Sequence, residues 1–397
     1  MSDRKVVYLD SNDYSVLSEP RLDVRLTGLR EKLLQLKDHT DVMFAFSGVH
    51  ISEMSPVAQN HADAAIRRTS LLSLLCRRNA MISFDRLITA ELKKLVLRSA
   101  MPVAAIDTNG EWFPDFGSLV TPWSDLDIEA AAQQQAEDAG MNRKARRMLK
   151  SKMVNKKGGV RSNFEKLHGR MDHHELADKY PMRPRDARVL QRYLLGHATR
   201  AEADTAFLES LRDPSYMMQW FAKHYGRLGA VGEWVRRPAR NLLDTMQGHF
   251  SEIHGKLAEM PLEERKKALS TLSGTHWAKM QETGLLAIVN RLIKSLLPGE
   301  SVCEDVRLVD QYCPGISICL RTLYSSVRNS FGENTRAMSR SDFVDALHAM
   351  YVPYVSFFRA DRYMAHIIRP HAERFGTKVF GSLDELVDAV ATNQSHR

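Results

Sequence analysis

Short apolar runs open the chain: VVYLD at 6–10, the run from Val42 to Phe46, and AMISF at 80–84. Runs of this length, rich in β-branched and aromatic residues, predict buried strands. The first ends in an acid followed by Ser11, Asn12 and Asp13, residues that favour a turn or a helix start. Between the second and third, HISEMSPVAQNHADAAIRRTSLLSLL has the small and apolar composition of a helix. The same alternation returns at the other end. SRSDFVDALHAMY predicts a helix capped by Ser339 or Ser341, YVSFFRAD at 354–361 a strand, and RYMAHIIRPHAERF a helix. TKVF at 377–380 and SLDELVDAV at 382–390 close the pattern with a strand and a capped helix.

Strands alternating with helices predict an α/β fold with a parallel sheet flanked by helices, whose ligands sit beyond the carboxyl ends of the strands. Between about 90 and 335 the pattern changes to long segments rich in Leu, Ala, Met, Lys and Arg, broken by Pro and Gly near 181–184, 213, 226–232 and 298–299. These predict a mainly α-helical region. Residues 1–90 joined to 336–397 have the size of one compact domain. The expectation is one α/β domain built from both chain ends, with 91–335 as a large helical insertion for substrate or partner recognition. Two separate small α/β domains are the competing arrangement, but each end holds too few strands to cover its own faces.

Composition adds limits. The 397 residues are 44% apolar, enough for a substantial core, and no stretch reaches the ~20 apolar residues of a membrane helix. No signal-like segment follows the first Met, so a cytoplasmic protein with no membrane partner is expected. Cys76, Cys303, Cys313 and Cys319 lack both C-x-x-C spacing and the density of a disulfide scaffold, and read as buried or free thiols. A zinc site on Cys313, Cys319 and a histidine is the minor alternative. The formal charge of +8 suits a polyanionic partner, although excess charge also serves solubility.

The carboxylates carry the chemistry. Asp10 ends the first strand, Glu53 lies early in the helix after the second, and Asp361 ends the strand YVSFFRAD. All three are expected at one sheet edge. Asp342 and Asp345, three apart on one helix, share a face, and either can complete the cluster. Singly, such acids are ordinary helix caps or partners of the helix dipole. Together they would repel one another and raise their own pKa values, a cost that bound Mg²⁺ or Mn²⁺ removes. Hard oxygen donors suit those ions, which activate water for in-line attack on a phosphodiester.

These segments, VVYLDSND at 6–13, SGVHISEM at 47–54, DALHA at 345–349 and FFRADRYM at 357–364, resemble the PIN-domain family of metal-dependent nucleases. The resemblance spans the two ends only. It implies a PIN-like sheet and a metal-dependent ribonuclease, with Asp10, Glu53, Asp345 and Asp361 as the catalytic acids. The same four, with Asp342, would form the metal set, and Asp13 stands in reserve. Arg359 occupies a position where many members carry Thr or Ser, so Arg359 and Arg362 are expected to hold a phosphate instead. An endoribonuclease of a bacterial toxin or antiviral-defence type, with an inhibitor or activator protein as a possible partner, follows by analogy. A structure-selective DNA nuclease and a non-catalytic nucleic-acid-binding protein are the other classes.

Nucleic acid has a candidate path. Met141 to Asn163 contains Arg143, Lys144, Arg146, Arg147, Lys150, Lys152, Lys156, Lys157 and Arg161 and no acid, a density that binds phosphates by counterion release. The plain alternative is a solvated segment paired with the acids between Asp125 and Asp138. Trp220, Tyr225 and Trp234, interspersed with Lys223, Arg227, Arg236, Arg237 and Arg240, offer stacking faces beside cations. Helical cores use the same spacing, and core packing is the better reading. His168, His173 and His174 read as surface residues.

Overall fold

The computed structural model describes residues 4–39, 41–56, 59–114, 173–224, 275–330 and 340–395, with a few positions between 248 and 267. The chain begins with β1 (Lys5–Tyr8), α1 (Ser11–Leu17), α2 (Val24–Leu36), β2 (Val42–Ala45), α3 (Gly48–Met54), α4 (Ala62–Cys76), β3 (Ala80–Met81), α5 (Phe84–Val96) and β4 (Ile106–Asp107). A helical stretch follows: α6 (His173–Lys179), α7 (Pro184–Leu194), α8 (Arg200–Leu211), α9 (Pro214–Lys223), α10 (Thr275–Leu296), α11 (Val306–Tyr312), α12 (Pro314–Asn329) and α13 (Arg340–Ala349). The chain closes with β5 (Phe357–Arg359), α14 (Arg362–Ala372), β6 (Lys378–Phe380) and α15 (Leu383–Ser395).

The main sheet has four parallel strands in the order β2-β1-β5-β6. β1 is central, and its apolar run has no solvent face: Val7, Tyr8 and Leu9 are fully buried. Its pairing of Val7 with Phe357 and Tyr8 with Phe358 joins the two ends of the chain in one sheet. Parallel strands point their carboxyl ends the same way, so the residues after Tyr8 and Arg359 emerge at one edge.

Three expectations about the elements are met only in part, for physical reasons. AMISF supplies a strand of just two residues, whose link to the parallel sheet is one parallel bridge at the end of β2. Ala80 and Met81 pair antiparallel with Asp107 and Ile106, an isolated bridge ties Ala80 to Phe46, and α5 starts at Phe84. The apolar character of the run is instead used against α5, whose buried Phe84, Leu87, Ile88, Leu92 and Leu95 follow helical spacing. HISEMSPVAQNHADAAIRRTSLLSLL is not one helix, because Pro56 drives Ser55 to φ −61°, ψ 134° and ends α3. YVSFFRAD contributes only three strand residues, its start being taken by a 3-10 turn, Val352–Tyr354.

The segment 91–335 is not a single body. By contact the chain divides into one unit of Met1–Ser55, Arg67–Pro114 and Glu233–Arg397 and another of Pro56–Ile66 and Asp115–Gly232. Leu285, Val289 and Ile293 of α10 and Ile316, Leu320 and Leu323 of α12 share a core with Tyr8, Ala45 and Phe358. The helices α10 to α12 therefore belong to the sheet unit. Two close approaches require glycine there. A Cβ on Gly284 would collide with the Tyr324 hydroxyl, and one on Gly315 would lie 2.6 Å from the Met350 carbonyl oxygen. The second unit packs α7 against α6 and α8, with buried Trp220 of α9 donating its indole N–H to the Ala177 carbonyl at 2.9 Å. Trp220 is thus a core residue, as its spacing suggested.

Candidate active site at the carboxyl edge of the sheet

Asp10 follows β1 and caps α1. Its Oδ1 accepts the Asn12 N–H at 2.7 Å, while Asp13, one turn on, accepts the Asp10 N–H at 3.1 Å. Asp361 follows β5 and caps α14 in the same way, accepting the Met364 N–H at 2.7 Å. The ordinary capping role expected of single acids is therefore real for both. Capping uses one oxygen of each and leaves the carboxylates at the sheet edge.

Asp345 lies on α13 and shares a cleft with Asp10, Tyr8, His348, Arg359 and Ala360. No helix is capped by it. Burial pushes its carboxyl up to about 7; the nearby His348 pulls the other way, and Glu53, Asp361 and Asp10 push it up further. The four predicted catalytic acids are thus close enough to act on one another electrostatically. Burial also raises Asp10, against the Asn12 N–H, His348 and Arg359. Asp342 is 1% exposed and lies outside the cleft lining. Its place in the metal set is not favoured, because Asp345, three residues on, takes the open face.

Glu53 sits on α3 and is partly exposed, its side chain at 31%. Its Oε2 receives His348 Nε2 at 2.7 Å and the Ser11 hydroxyl. Burial works to raise Glu53, but His348 and Ser11 outweigh it, and the carboxyl ends below its ordinary value. For His348 burial works downward, and Glu53 and the two aspartates outweigh it, holding the imidazole above its ordinary 6.5. His348 Nδ1 lies 2.6 Å from the Tyr8 hydroxyl, which lies 2.6 Å from Ser47 Oγ.

His50 completes this buried polar chain. The Ser47 backbone N–H donates to its Nδ1 at 3.0 Å, so that nitrogen carries no proton and Nε2–H donates to the Leu9 carbonyl at 2.9 Å. Burial lowers His50 to about 3, consistent with a neutral ring whose tautomer is fixed. Both histidines were missed as site residues in the sequence. The signal for His348 was its position three after Asp345 on one helix, hence on the same face.

Arg359, expected to hold a phosphate, is engaged within the protein: its Nη2 pairs with Asp13 Oδ1 at 3.3 Å and its side chain is only 11% exposed. Burial pushes the Asp13 carboxyl up to about 7, against the pull of Arg359. The reserve acid is thus a counter-ion rather than a member of the cluster. Arg359 nevertheless lines the cleft, and its Nε and Nη1 are buried without a protein acceptor. Arg362, the first residue of α14, is exposed beside Asp361.

Among the described residues no three His, Cys, Asp or Glu side chains are grouped as a ready metal-ligand set, and no helix is long and apolar enough to cross a membrane. Cys313 and Cys319 are buried free thiols, with Cys313 Sγ on the Glu91 carbonyl at 3.3 Å. His173 and His174 of α6 lie with ring centroids 4.2 Å apart and planes tilted by 38°. Arg143, Lys144, Arg146, Arg147, Lys150, His168, Tyr225, Trp234, Arg236 and Arg237 lie outside the described residues. Comparison of the chain with protein-family models, with curated proteins and with solved structures finds no match.

Proposed function

We propose that the chain is a Mg²⁺- or Mn²⁺-dependent nuclease of the PIN type, acting on RNA in preference to DNA. The observation that carries this reading is the pairing of Asp10 and Asp345 in one cleft at the carboxyl edge of β1 and β5. Both are raised chiefly by burial and further by neighbouring acids, Asp10 by Glu53 and Asp345 by Glu53, Asp361 and Asp10. A folded protein that concentrates carboxylates it does not neutralise stores unfavourable energy, a usual mark of a functional site. A hard divalent cation relieves it. Mg²⁺ keeps several waters and is commonly held by one or two carboxylates plus substrate phosphates, so Asp10 and Asp345 suffice as protein donors without a larger ready-made cage.

When bound, the cation supplies Lewis-acid stabilisation of the phosphodiester and a more acidic water. The chain's own residues do the rest. Arg359 lines the cleft with its Nε and Nη1 unpaired, Arg362 is exposed next to Asp361, and a guanidinium suits a phosphate oxygen. The acids need no covalent intermediate, and no nucleophilic side chain is required. The basic residues Arg143, Lys144, Arg146, Arg147, Lys150, Arg236 and Arg237 would hold the nucleic-acid backbone. A toxin or phage-defence role, with an inhibitor or activator protein, fits such an enzyme in the cytoplasm. PIN-type ribonucleases are the ground for the preference for RNA.

One observation favours a second reading. Asp10 and Asp361 cap helices and Glu53 is tied to His348, so three of the four acids have structural work. A nucleic-acid-binding protein without catalysis would need nothing more. Incubating the purified chain with labelled single-stranded RNA, single-stranded DNA and flapped duplexes, in Mn²⁺ or EDTA, separates the readings. The nuclease cuts RNA with Mn²⁺ only and falls silent in Asp345→Asn; selective cutting of flaps would reassign the substrate to DNA. No cleavage of any substrate leaves the binding protein.

A further inference from the structure

The hydrogen bonds around Glu53 bear on how the proposed metal site is built. This carboxylate is not presented to the cleft as Asp10 and Asp345 are. Its Oε2 already takes two donors, His348 Nε2 at 2.7 Å and the Ser11 hydroxyl, and Glu53 is absent from the residues that line the cleft. His348 is in turn clamped from behind. Its other nitrogen meets the fully buried Tyr8 hydroxyl at 2.6 Å, and that hydroxyl is fixed by Ser47 Oγ at 2.6 Å. Tyr8 also stacks on Phe358 at 5.2 Å, so the phenol cannot swing without disturbing the β1–β5 core.

Four secondary-structure elements therefore cooperate to hold one carboxylate: α1 through Ser11, β1 through Tyr8, the α3 N-cap through Ser47, and α13 through His348. His348 itself lines the cleft with Asp10 and Asp345, whereas Glu53 does not. Both donors fall on Oε2, so turning that oxygen to the cation would shed His348 and Ser11, while Oε1 takes neither donor and is left to accept from a water. Losing two hydrogen bonds to a partly buried carboxylate is costly, since bonds to charged groups contribute more than neutral ones.

Resting on the nuclease reading above, we infer that Glu53 is a positioning residue and not an inner ligand of the cation. The Tyr8–His348 relay holds it as an outer acceptor that orients the attacking water, and Asp10 and Asp345 alone supply inner carboxylates. The relay of side chains behind a metal ligand tunes its orientation in many metal sites. Here the relay acts on a carboxylate one shell further out.

The test uses the full chain loaded with Mn²⁺ and reads the number of water molecules on the ion by electron spin echo modulation in D₂O. If Glu53 is outside the inner shell, Glu53→Gln leaves that number unchanged while Asp345→Asn raises it. Turnover separates in the same direction: Glu53→Gln and His348→Gln lower kcat by ~10–100-fold, as loss of outer-shell partners does, with KM for RNA little changed. Melting curves check that each variant is folded, and the conservative Tyr8→Phe, which deletes only the relay hydroxyl, lowers kcat less than His348→Gln. An additional water on Mn²⁺ in Glu53→Gln would make Glu53 an inner ligand and overturn the inference while leaving the nuclease reading intact. Failure of the wild-type chain to bind Mn²⁺ at all would overturn both.

Discussion

Replacing Asp345 by Asn should stabilise the protein in a pH-dependent way. Asn keeps the shape of the side chain and removes a charge that the fold does not neutralise. With Asp345 raised from its ordinary 3.8 to about 7, the folded state disfavours the charged form by about 4 kcal/mol relative to the unfolded chain. That cost is absent below pH ~4, where both states are protonated, and grows as the unfolded chain ionises first. It is complete once the folded carboxyl has also ionised, above about pH 7. The stability recovered by Asp345→Asn is therefore largest at pH 8 and about a third as large at pH 5. Water entering the cleft reduces the full figure, and a gain of about 1–3 kcal/mol at pH 8 corresponds to a Tm higher by roughly 3–8 °C. The assay is a thermal melt of both proteins in EDTA at pH 5 and pH 8. Equal Tm differences at the two pH values, or a lower Tm for the variant at pH 8, would refute the electrostatic reasoning.

Other consequences concern parts of the chain around and beyond the cleft. Arg359→Met strands Asp13 in a buried position and should cost about 3–5 kcal/mol by urea denaturation, whereas Arg359→Met with Asp13→Asn should recover much of it; additive losses would mean the pair is not coupled. Gly315→Ala should lose about 1–3 kcal/mol, because its Cβ would lie 2.6 Å from the Met350 carbonyl oxygen and 2.8 Å from Glu91 Oε1; an unchanged melt would show that α12 can shift. Changing Arg143, Lys144, Arg146 and Arg147 to Glu in an Asp10→Asn background should weaken RNA binding and flatten its logarithmic salt dependence, measured by filter binding from 50 to about 200 mM salt. An unchanged slope would move the RNA path to Arg236 and Arg237.

The sheet was legible because its strands carry their own signal. VVY and VMFA are buried runs whose identity depends on local composition, and the acid after each run of β1 and β5 follows from strand direction alone. The helix break at Ser55 was equally local, since Pro56 is written in the sequence. What sequence patterns do not carry is which distant helix covers which face. α10 and α12 have ordinary amphipathic spacing, and nothing in that spacing assigns them to the sheet core rather than to an inserted body.

The same limit applies to the site. Asp10, Glu53 and Asp361 could be placed at one edge from topology, with Asp342 or Asp345 to complete the cluster, but the bond from His348 to Glu53 spans 295 residues and Tyr8 to His348 spans 340. Glu91 is a further case. Its buried carboxylate accepts the Gly315 and Ile316 N–H groups at 2.7 and 2.9 Å and the Tyr354 hydroxyl, so a charged letter on the apolar face of α5 is the cap of α12. Helical periodicity marks such a residue as an exception without naming its partner.

The central claim is that Asp10 and Asp345 hold a divalent cation at the carboxyl edge of the sheet. The most direct measurement is an anomalous difference map at the manganese edge from crystals soaked in Mn²⁺. The account predicts a peak in the cleft between the Asp10 and Asp345 carboxylates, beside Arg359, with Glu53 still bonded to His348. A saturated soak with no peak between Asp10 and Asp345 would contradict it.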